Sequence, residues 1–240
     1  MAGHSKWATT HRQKAVVDAK RGAVFTKIGN MIAVAAKNGT DPAMNPTLAM
    51  AIEKARAANM PKDNIQRAID RAADKNAAVM EEAVYEAYGA GGVGILVEVA
   101  TDNKNRTYPE VRTALTKNGA TMADGGSVMF MFTRKGVIAV KETGEDALLA
   151  ILDAGAEDVL EEDGETIVYT DQKDLAKVRS AISDGGLTVL DAGLQYVPNT
   201  KAEVTDEEVA RKLVKVFDAV DEIDEVVNVF STADIKADIE

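Results

Sequence analysis

The residues best suited to chemistry in this sequence are positively charged side chains near the N-terminus. They surround the only tryptophan, Trp7, and both histidines, His4 and His11. The cations of this segment are Lys6, Arg12, Lys14, Lys20, Arg21 and Lys27. Such side chains bind phosphate without reading sequence, and an exposed aromatic ring can stack on an unpaired base. The segment predicts a nucleic-acid interface, although Trp7 could equally anchor the terminus, because aromatic rings bury much area whatever their role.

Charge is divided unevenly along the chain, which strengthens this prediction. The formal net charge is −11, yet residues 1–75 contain 13 Lys and Arg against 6 Asp and Glu. Salt confines the effect of surface charge to about 10 Å, so a basic lobe can attract a polyanion beside an acidic body. We expect a nucleic acid as the partner. The oligomeric state is left open.

Other kinds of chemistry are poorly supplied. The chain has no cysteine, which removes disulfides, thiolate nucleophiles and Cys-ligated zinc and fits a reducing compartment. His4 and His11 lie among cations with only Asp18 nearby as a carboxylate, which disfavours a metal ion. No serine lies in a nucleophile elbow. We predict no catalytic residue, no metal and no cofactor, and an enzyme acting on a nucleotide is a remote alternative.

The stretch Gly89–Gly94 contains a literal G-x-G-x-x-G match. In a dinucleotide site these glycines open a helix, whose N-terminal amides face the pyrophosphate. Here they lead into an apolar run typical of a strand. We therefore interpret them as a connection between two strands.

Neither an export signal nor a membrane span is expected. The first residues include no apolar stretch of signal-peptide length, and the most apolar run, Gly92 to Ala100, is short and interrupted by Glu98. The sequence predicts a cytoplasmic protein with no membrane partner.

Three apolar sets with the spacing i, i+3, i+4, i+7 predict a small helical bundle between Lys27 and Ala73. The sets are Ile28, Met31, Ile32 and Ala35; Leu48, Ala51, Ile52 and Ala55; Ile65, Ala68, Ile69 and Ala72. Asn45 and Pro46 read as an N-cap followed by the first helical residue, and Pro61 begins the third helix. A further basic helix is predicted over Thr10 to Arg21.

After about Ala78 the pattern changes to strands alternating with helices. The first predicted elements are strands at Val84–Tyr88, Ile95–Thr101 and Val128–Thr133 and a helix at Thr107–Lys117. The next have the βαββαβ order of a ferredoxin-like unit, with strands at 137–141, 158–162, 166–170 and 187–197 and helices at 145–153 and 172–183.

A last helix, Val204–Val220, and strand, Val226–Phe230, return to the first sheet, so the ferredoxin-like unit is inserted. The fold class is α+β: an N-terminal helical bundle followed by two α+β domains, the third inserted into the second. The predicted domains are 1–78, 79–134 plus 203–240, and 135–202.

Two further groups are candidate contacts. Asn103, Lys104, Asn105 and Arg106 form a polar loop that could contact RNA or protein, or could be an ordinary turn with Thr107 as N-cap. Lys62 and Arg67 follow a corner at Asn59-Met60 that could belong to a helix-turn-helix. A corner between helices is also ordinary in bundles, and the following helix offers few residues to read bases.

Several short motifs in order along the chain resemble the YebC/PmpR family. They are Gly3-His4-Ser5-Lys6-Trp7, Asp18-Ala19-Lys20-Arg21-Gly22, Asn59-Met60-Pro61-Lys62-Asp63-Asn64-Ile65, Tyr85-Glu86-Ala87-Tyr88-Gly89, Thr101-Asp102-Asn103-Lys104-Asn105-Arg106-Thr107 and Gly126-Ser127-Val128. The chain differs in having His11-Arg12-Gln13-Lys14 for the usual Lys-His-Arg-Lys, Ala90 for a usual proline, and Ala73 to Ala78 for a glycine-rich segment.

The resemblance implies a three-domain cytoplasmic protein that acts on gene expression. Family members are commonly labelled probable transcriptional regulators that bind DNA. Others, including the mitochondrial translational activator of cytochrome c oxidase, act in translation. We keep both hypotheses and favour a ribosome-associated factor in which His4, Trp7 and residues 103–106 contact RNA. The alternative is a DNA-binding transcriptional regulator.

Overall fold

A computed structural model describes residues 21–74 and 77–237 of the chain. They divide into two compact units, residues 132–199 and the remaining described residues on either side of that segment. The predicted α+β class is confirmed, because a helical N-terminal region precedes mixed sheets and helices. The helix predicted over 10–21 lies almost entirely outside the described residues.

Among the described residues, three helices form the N-terminal helical lobe. They are α1 (Arg21–Ala36), α2 (Pro46–Ala57) and α3 (Lys62–Ala73). Asn45 caps α2 as predicted, because its Oδ1 accepts the backbone N–H of Leu48 at 3.1 Å. Pro46 takes the first helical position, where a missing N–H removes no helical hydrogen bond. The cap therefore fixes where α2 begins.

The predicted apolar faces meet in one core. Its fully buried members from the three sets are Ile28, Ile32, Ala35, Leu48, Ala51, Ile52, Ala55, Ile65 and Ile69. Ala68 and Ala72 pack at its edge, whereas Met31 is half-buried outside it. Helical periodicity thus identifies nearly the whole core of the lobe.

The same compact unit contains a four-stranded sheet in the order β3-β1-β2-β9. Its strands are β1 (Glu81–Tyr88), β2 (Gly94–Thr101), β3 (Thr121–Met122) and β9 (Val226–Ser231). Two helices, α4 (Lys104–Lys117) and α7 (Glu207–Asp221), share a core with one face of this sheet. Strand β9 joins it from the far end of the chain, as predicted. A short parallel pair, β8 (Ala202–Val204) and β10 (Ala233–Ile235), completes the unit.

Strand β2 is buried along its whole length, which explains why its residues are mostly apolar on both faces of the sheet. On the face opposite α4 and α7, Ala33 of α1 packs with Met80 and Ala100. Glu98 is buried there too and accepts a hydrogen bond from Nδ2 of Asn228 at 2.6 Å. The helical lobe and the sheet are therefore joined by packing as well as by sequence.

Residues 132–199 form the inserted ferredoxin-like unit. Its elements are β4 (Phe132–Val140), α5 (Glu145–Asp153), β5 (Asp158–Glu162), β6 (Glu165–Thr170), α6 (Leu175–Asp184) and β7 (Val189–Pro198). The antiparallel sheet has the order β5-β6-β4-β7, as a βαββαβ unit requires. The β5–β6 hairpin turns at Asp163 and Gly164, which both have positive φ angles.

Two local predictions were wrong. Val128–Thr133 is not a strand: Met129–Met131 is a 3-10 turn, and a single strand, β4, begins at Phe132. Thr107 is not the N-cap of α4, because the helix begins at Lys104 and Asn103 Oδ1 accepts the N–H of Arg106 at 3.1 Å. Thr107 is buried instead and shares a 2.8 Å hydrogen bond with Thr101.

Candidate nucleic-acid interface

Seven of the predicted contact residues lie outside the described part of the chain. They are His4, Lys6, Trp7, His11, Arg12, Lys14 and Lys20. Arg21 is the first residue of α1. The other predicted contacts that the structure describes are Lys27, the α3 cations Lys62 and Arg67, and the polar loop at 103–106.

Lys62 and Arg67 are exposed on α3. Among the described residues neither cation forms an ion pair with a carboxylate. Arg67 is held by its own helix: its guanidinium donates to Oδ1 of Asn64 and, at 3.3 Å, to the carbonyl of Asp63. An oriented guanidinium with remaining donors is well suited to a phosphate oxygen.

Lys27 is engaged within the protein. Its Nζ lies 2.9 Å from Oδ1 of Asp221 at the end of α7 and also donates to the Asp221 carbonyl. The Lys27 side chain is only 15% exposed. This contact ties α1 to the acidic part of the chain, and Asn30 adds a long hydrogen bond of 3.4 Å to the carbonyl of Asp224.

The polar loop is also tied down by charge. Asp102 accepts from Arg71 of α3 at 3.0 Å and from Arg106 at 3.2 Å, and Arg106 reaches Glu225 at 2.5 Å. A hydrogen bond from Arg106 to Glu225 and the charge of that carboxylate raise the pKa of Arg106. The loop, α3 and the turn before β9 therefore meet in one ionic network.

Lys104 and Asn105 complete the loop. Lys104 pairs with Glu81 at 2.6 Å, and both side chains are about half exposed. The hydrogen bond and the opposite charge raise the pKa of Lys104 and lower that of Glu81. Such exposed pairs add little stability, so Lys104 can exchange its partner at small cost. Asn105 is exposed.

A groove of about 470 Å³ lies between α1 and α3, and the sequence reading missed it. Its walls are Gly22, Phe25, Thr26, Gly29 and Asn30 on α1 and Met60, Asn64, Arg67, Ala68 and Arg71 in and before α3. The lining residues of each helix recur three, four, seven or eight positions apart, which is the spacing of one helix face. A search for polar and small residues at this spacing could have found it.

The two motifs around Glu86 and Ser127 meet on the sheet. The Glu86 carboxylate accepts the backbone N–H groups of Gly126, Val128 and Met129 at 2.6 to 2.8 Å. Burial acts to raise the pKa of Glu86, but these hydrogen bonds outweigh burial, and its pKa lies below the ordinary value. This carboxylate is bound as a structural acceptor.

The glycines at 89–94 form the connection between β1 and β2 that was predicted. Ala90–Gly92 is a 3-10 turn, and Gly94 begins β2 rather than a helix. Within residues 21–74 and 77–237, no cluster of three or more His, Cys, Asp or Glu side chains has the arrangement of a metal site. Over the same residues no helix has the length and apolar character needed to cross a membrane.

Comparison with known proteins gives consistent matches along the chain. Residues 5–75 match the model described as "TACO1/YebC protein N-terminal domain", and residues 80–233 match "TACO1/YebC second and third domain". A solved structure, a conserved hypothetical protein from Aquifex aeolicus, is similar with a TM-score of 0.88 and 39% identity, covering 94% of this chain and 95% of that one.

Similar sequences carry a common name. A "probable transcriptional regulatory protein" from Frankia casuarinae is 47% identical over 246 residues, covering 100% of this chain and 98% of the relative. A protein of the same name from Thermobifida fusca is 47% identical over 245 residues, with the same coverage. The family models span most of the sequence and the relatives span all of it, and the chain therefore belongs to the TACO1/YebC family.

Proposed function

We propose that this protein is a nucleic-acid-binding regulator of gene expression whose helical lobe carries the interface. Structured RNA of the ribosome is the favoured target, which makes the protein a translation factor. The observation that carries the proposal is the pair Lys62 and Arg67, both exposed and, in the described part of the chain, both without a carboxylate partner. They place positive charge on the helical lobe, in addition to the cations that the sequence has at 1–20.

The composition of α3 favours RNA over the major groove of DNA. A recognition helix presents base-reading side chains along one face. On α3 the exposed residues alternate in sign, because Asp63 and Asp70 stand among Lys62, Arg67 and Arg71. Asp70 Oδ1 also accepts a hydrogen bond from Nε2 of Gln66 at 2.8 Å. The amide of Gln66, which could otherwise read a base, is therefore already engaged. Phosphate contacts from a few positions, with unpaired bases nearby, suit folded RNA better.

The interface includes the N-terminal candidates and the polar loop. His4, Lys6, Trp7, His11, Arg12, Lys14, Lys20 and Arg21 supply most of its charge and its aromatic ring. In the loop, Asn105 is exposed, and Lys104 and Arg106 have side chains about half exposed despite their ion pairs. We assign binding to the domain predicted at 1–78; the other predicted domains are 79–134 with 203–240 and 135–202, the last corresponding to the compact unit 132–199.

A DNA-binding transcriptional regulator is the second candidate. The relatives from Frankia and Thermobifida are named probable transcriptional regulatory proteins. Helices α2 and α3, joined by a short corner at 58–61, also have the order of a helix-turn-helix. Both candidates act in the cytoplasm without catalysis.

Crosslinking in cells followed by sequencing of the bound nucleic acid tests the proposal. Ribosomal RNA recovered above background supports the translation role, and promoter DNA supports the transcriptional one. The matched control is Lys62→Ala/Arg67→Ala, which should lower the yield. If the wild type and the double variant gave equal yields of crosslinked nucleic acid, the interface would not lie on Lys62 and Arg67 of the helical lobe. If the wild type gave only the background yield, the protein would not bind nucleic acid.

A further inference from the structure

The groove between α1 and α3 has the features of a site for one unpaired base. We propose that it receives a nucleobase from single-stranded or looped nucleic acid, with the adjoining phosphate on Arg67. This inference rests on the proposed function and names the part of the ligand that enters the fold. The groove volume of about 470 Å³ falls within the range of small-ligand sites.

Two glycines of α1 open the groove. A Cβ added at Gly22 would meet no atom within 4 Å, and one at Gly29 would meet only Cε of Met60 at 3.8 Å. Packing therefore does not require glycine at either position. Glycine makes a helix less stable than alanine does, so these two positions lower the stability of α1 while they leave this wall of the groove open. A flat ring could approach the backbone of α1 here.

The walls offer an apolar surface and a hydrogen-bond acceptor. Phe25 packs at the edge of the lobe core and is half-buried, so part of its ring faces outward. Asn30 is only 8% exposed, and its Nδ2 makes a long 3.4 Å bond to the carbonyl of Asp224. Among the described residues no donor is bonded to its Oδ1. An amide oxygen with no donor from the described residues, on a groove wall that also holds an aromatic ring, suits the exocyclic amine of adenine, cytosine or guanine.

The cations lie where a phosphate would emerge. Arg67 is oriented by Asn64 and the Asp63 carbonyl, while Arg71 is held by Asp102 at 3.0 Å. The remaining N–H groups of Arg67 can therefore donate to a phosphate, while Arg71, fixed by Asp102, forms part of the groove wall. A base within a duplex would first have to leave the stack, so the groove selects unpaired nucleotides.

The test measures anisotropy of a fluorescent 12-nucleotide single strand and of the same strand in a duplex. Gly29→Leu fills the groove and adds a residue that favours helix. Its control is Ala57→Leu, which adds the same side chain at the exposed end of α2.

Arg67→Ala removes the proposed phosphate contact. Its control is Arg56→Ala, which removes an exposed cation outside the groove. We expect Gly29→Leu and Arg67→Ala to weaken single-strand binding about tenfold, as loss of one stacked base would. Both controls should bind as the wild type does.

The binding and melting data together show whether a nucleobase enters the groove. Weaker single-strand binding by Gly29→Leu, with unchanged duplex affinity and unchanged or higher Tm, supports the proposal. A lower Tm would show that the groove is filled by the chain itself, and equal single-strand affinity would show that bases bind elsewhere; either result overturns it. Failure of the wild type to bind any nucleic acid would instead overturn the proposed function.

Discussion

Oε2 of Glu86 lies 2.6 Å from the backbone nitrogen of Val128, a residue 42 positions further along the chain. The same carboxylate binds the N–H groups of Gly126 and Met129, and the Tyr88 hydroxyl donates to the Ser127 carbonyl at 2.6 Å. Strand β1 thereby holds the segment that leads into the inserted unit. A charged acceptor with three amide donors is a strong anchor.

Replacing Glu86 with glutamine should destabilise the protein by about 2 to 3 kcal/mol. The charged acceptor is lost, and the NH2 group of glutamine cannot accept the backbone N–H bonds that one carboxylate oxygen accepts. The measurement is chemical denaturation followed by circular dichroism. Glu82→Gln, on the exposed end of the same strand, is the control and should change little. Equal midpoints for the two variants would show that the Glu86 hydrogen bonds contribute no net stability.

Stability should also depend on the protonation of Glu86. Its pKa is lowered in the fold below the ordinary value of 4.5. The stabilisation is complete above the unfolded pKa and is lost as the pH falls through the folded one. We expect the difference in unfolding free energy between wild type and Glu86→Gln to shrink on acidification below about pH 4.5. A difference that stays constant down to pH 2 would contradict this assignment.

Lys27 and Lys62 should show opposite effects, because of these two lysines only Lys27 has a carboxylate partner among residues 21–74 and 77–237. Lys27→Met breaks the contact with Asp221 and should cost about 1 kcal/mol of stability while leaving nucleic-acid affinity nearly unchanged. Lys62→Met should leave stability unchanged and weaken binding. Thermal melts and anisotropy on both variants make the comparison. Loss of affinity in Lys27→Met at unchanged Tm would return Lys27 to the interface.

The salt dependence of binding should report Lys62 and Arg67 directly. Each lost phosphate contact lowers the magnitude of the slope of log K against log salt by about 0.7 for a single strand. The variant Lys62→Ala/Arg67→Ala should therefore lose about 1.4 from the slope. Arg211→Ala/Lys212→Ala is the matched control, since both cations are paired with glutamates on α7. A slope unchanged in the first variant would remove α3 from the interface.

The fold was largely predictable because its main elements follow local periodicity. The spacing of Ile28 and Ile32, or of Ile65 and Ile69, identifies a buried face without knowledge of its partner. The segment Val128–Thr133 was mispredicted as a strand, because Glu86 bends it from a distance in sequence. For α4 the sequence offered Thr107 as the N-cap, and only the tertiary structure shows that Thr107 is buried and hydrogen-bonded to Thr101.

The charge of the candidate site follows from the sequence, but the partners of its charged side chains do not. Lys27 and Lys62 look alike in the sequence, yet the partner of Lys27 lies 194 positions away. The same holds for Arg106, whose partner Glu225 joins through β9. The groove was missed because Gly22 and Gly29 contribute space rather than a side chain. Long-range pairing leaves no local pattern in the sequence, and the groove leaves only small and polar residues spaced along one face of each helix.

Trp7 separates a stacking role from an anchoring role in one experiment. If its ring stacks on an unpaired base, Trp7→Ala should weaken binding to looped RNA by about 1 to 3 kcal/mol and leave Tm nearly unchanged. Because it is the only tryptophan, its emission should be that of an exposed indole in the free protein and should be quenched by RNA. Trp7→Phe keeps a ring and should retain most of the affinity.

The anchoring role gives the opposite results. A blue-shifted emission that does not respond to saturating RNA, together with a lower Tm for Trp7→Ala, would contradict stacking. Phosphate binding would then depend on Lys6 and the cations that follow it, and these bind without regard to base pairing. Any preference of the wild type for a single strand over a duplex would in that case come from the groove between α1 and α3 and be lost in Gly29→Leu, whereas a stacked Trp7 predicts that Gly29→Leu keeps part of this preference.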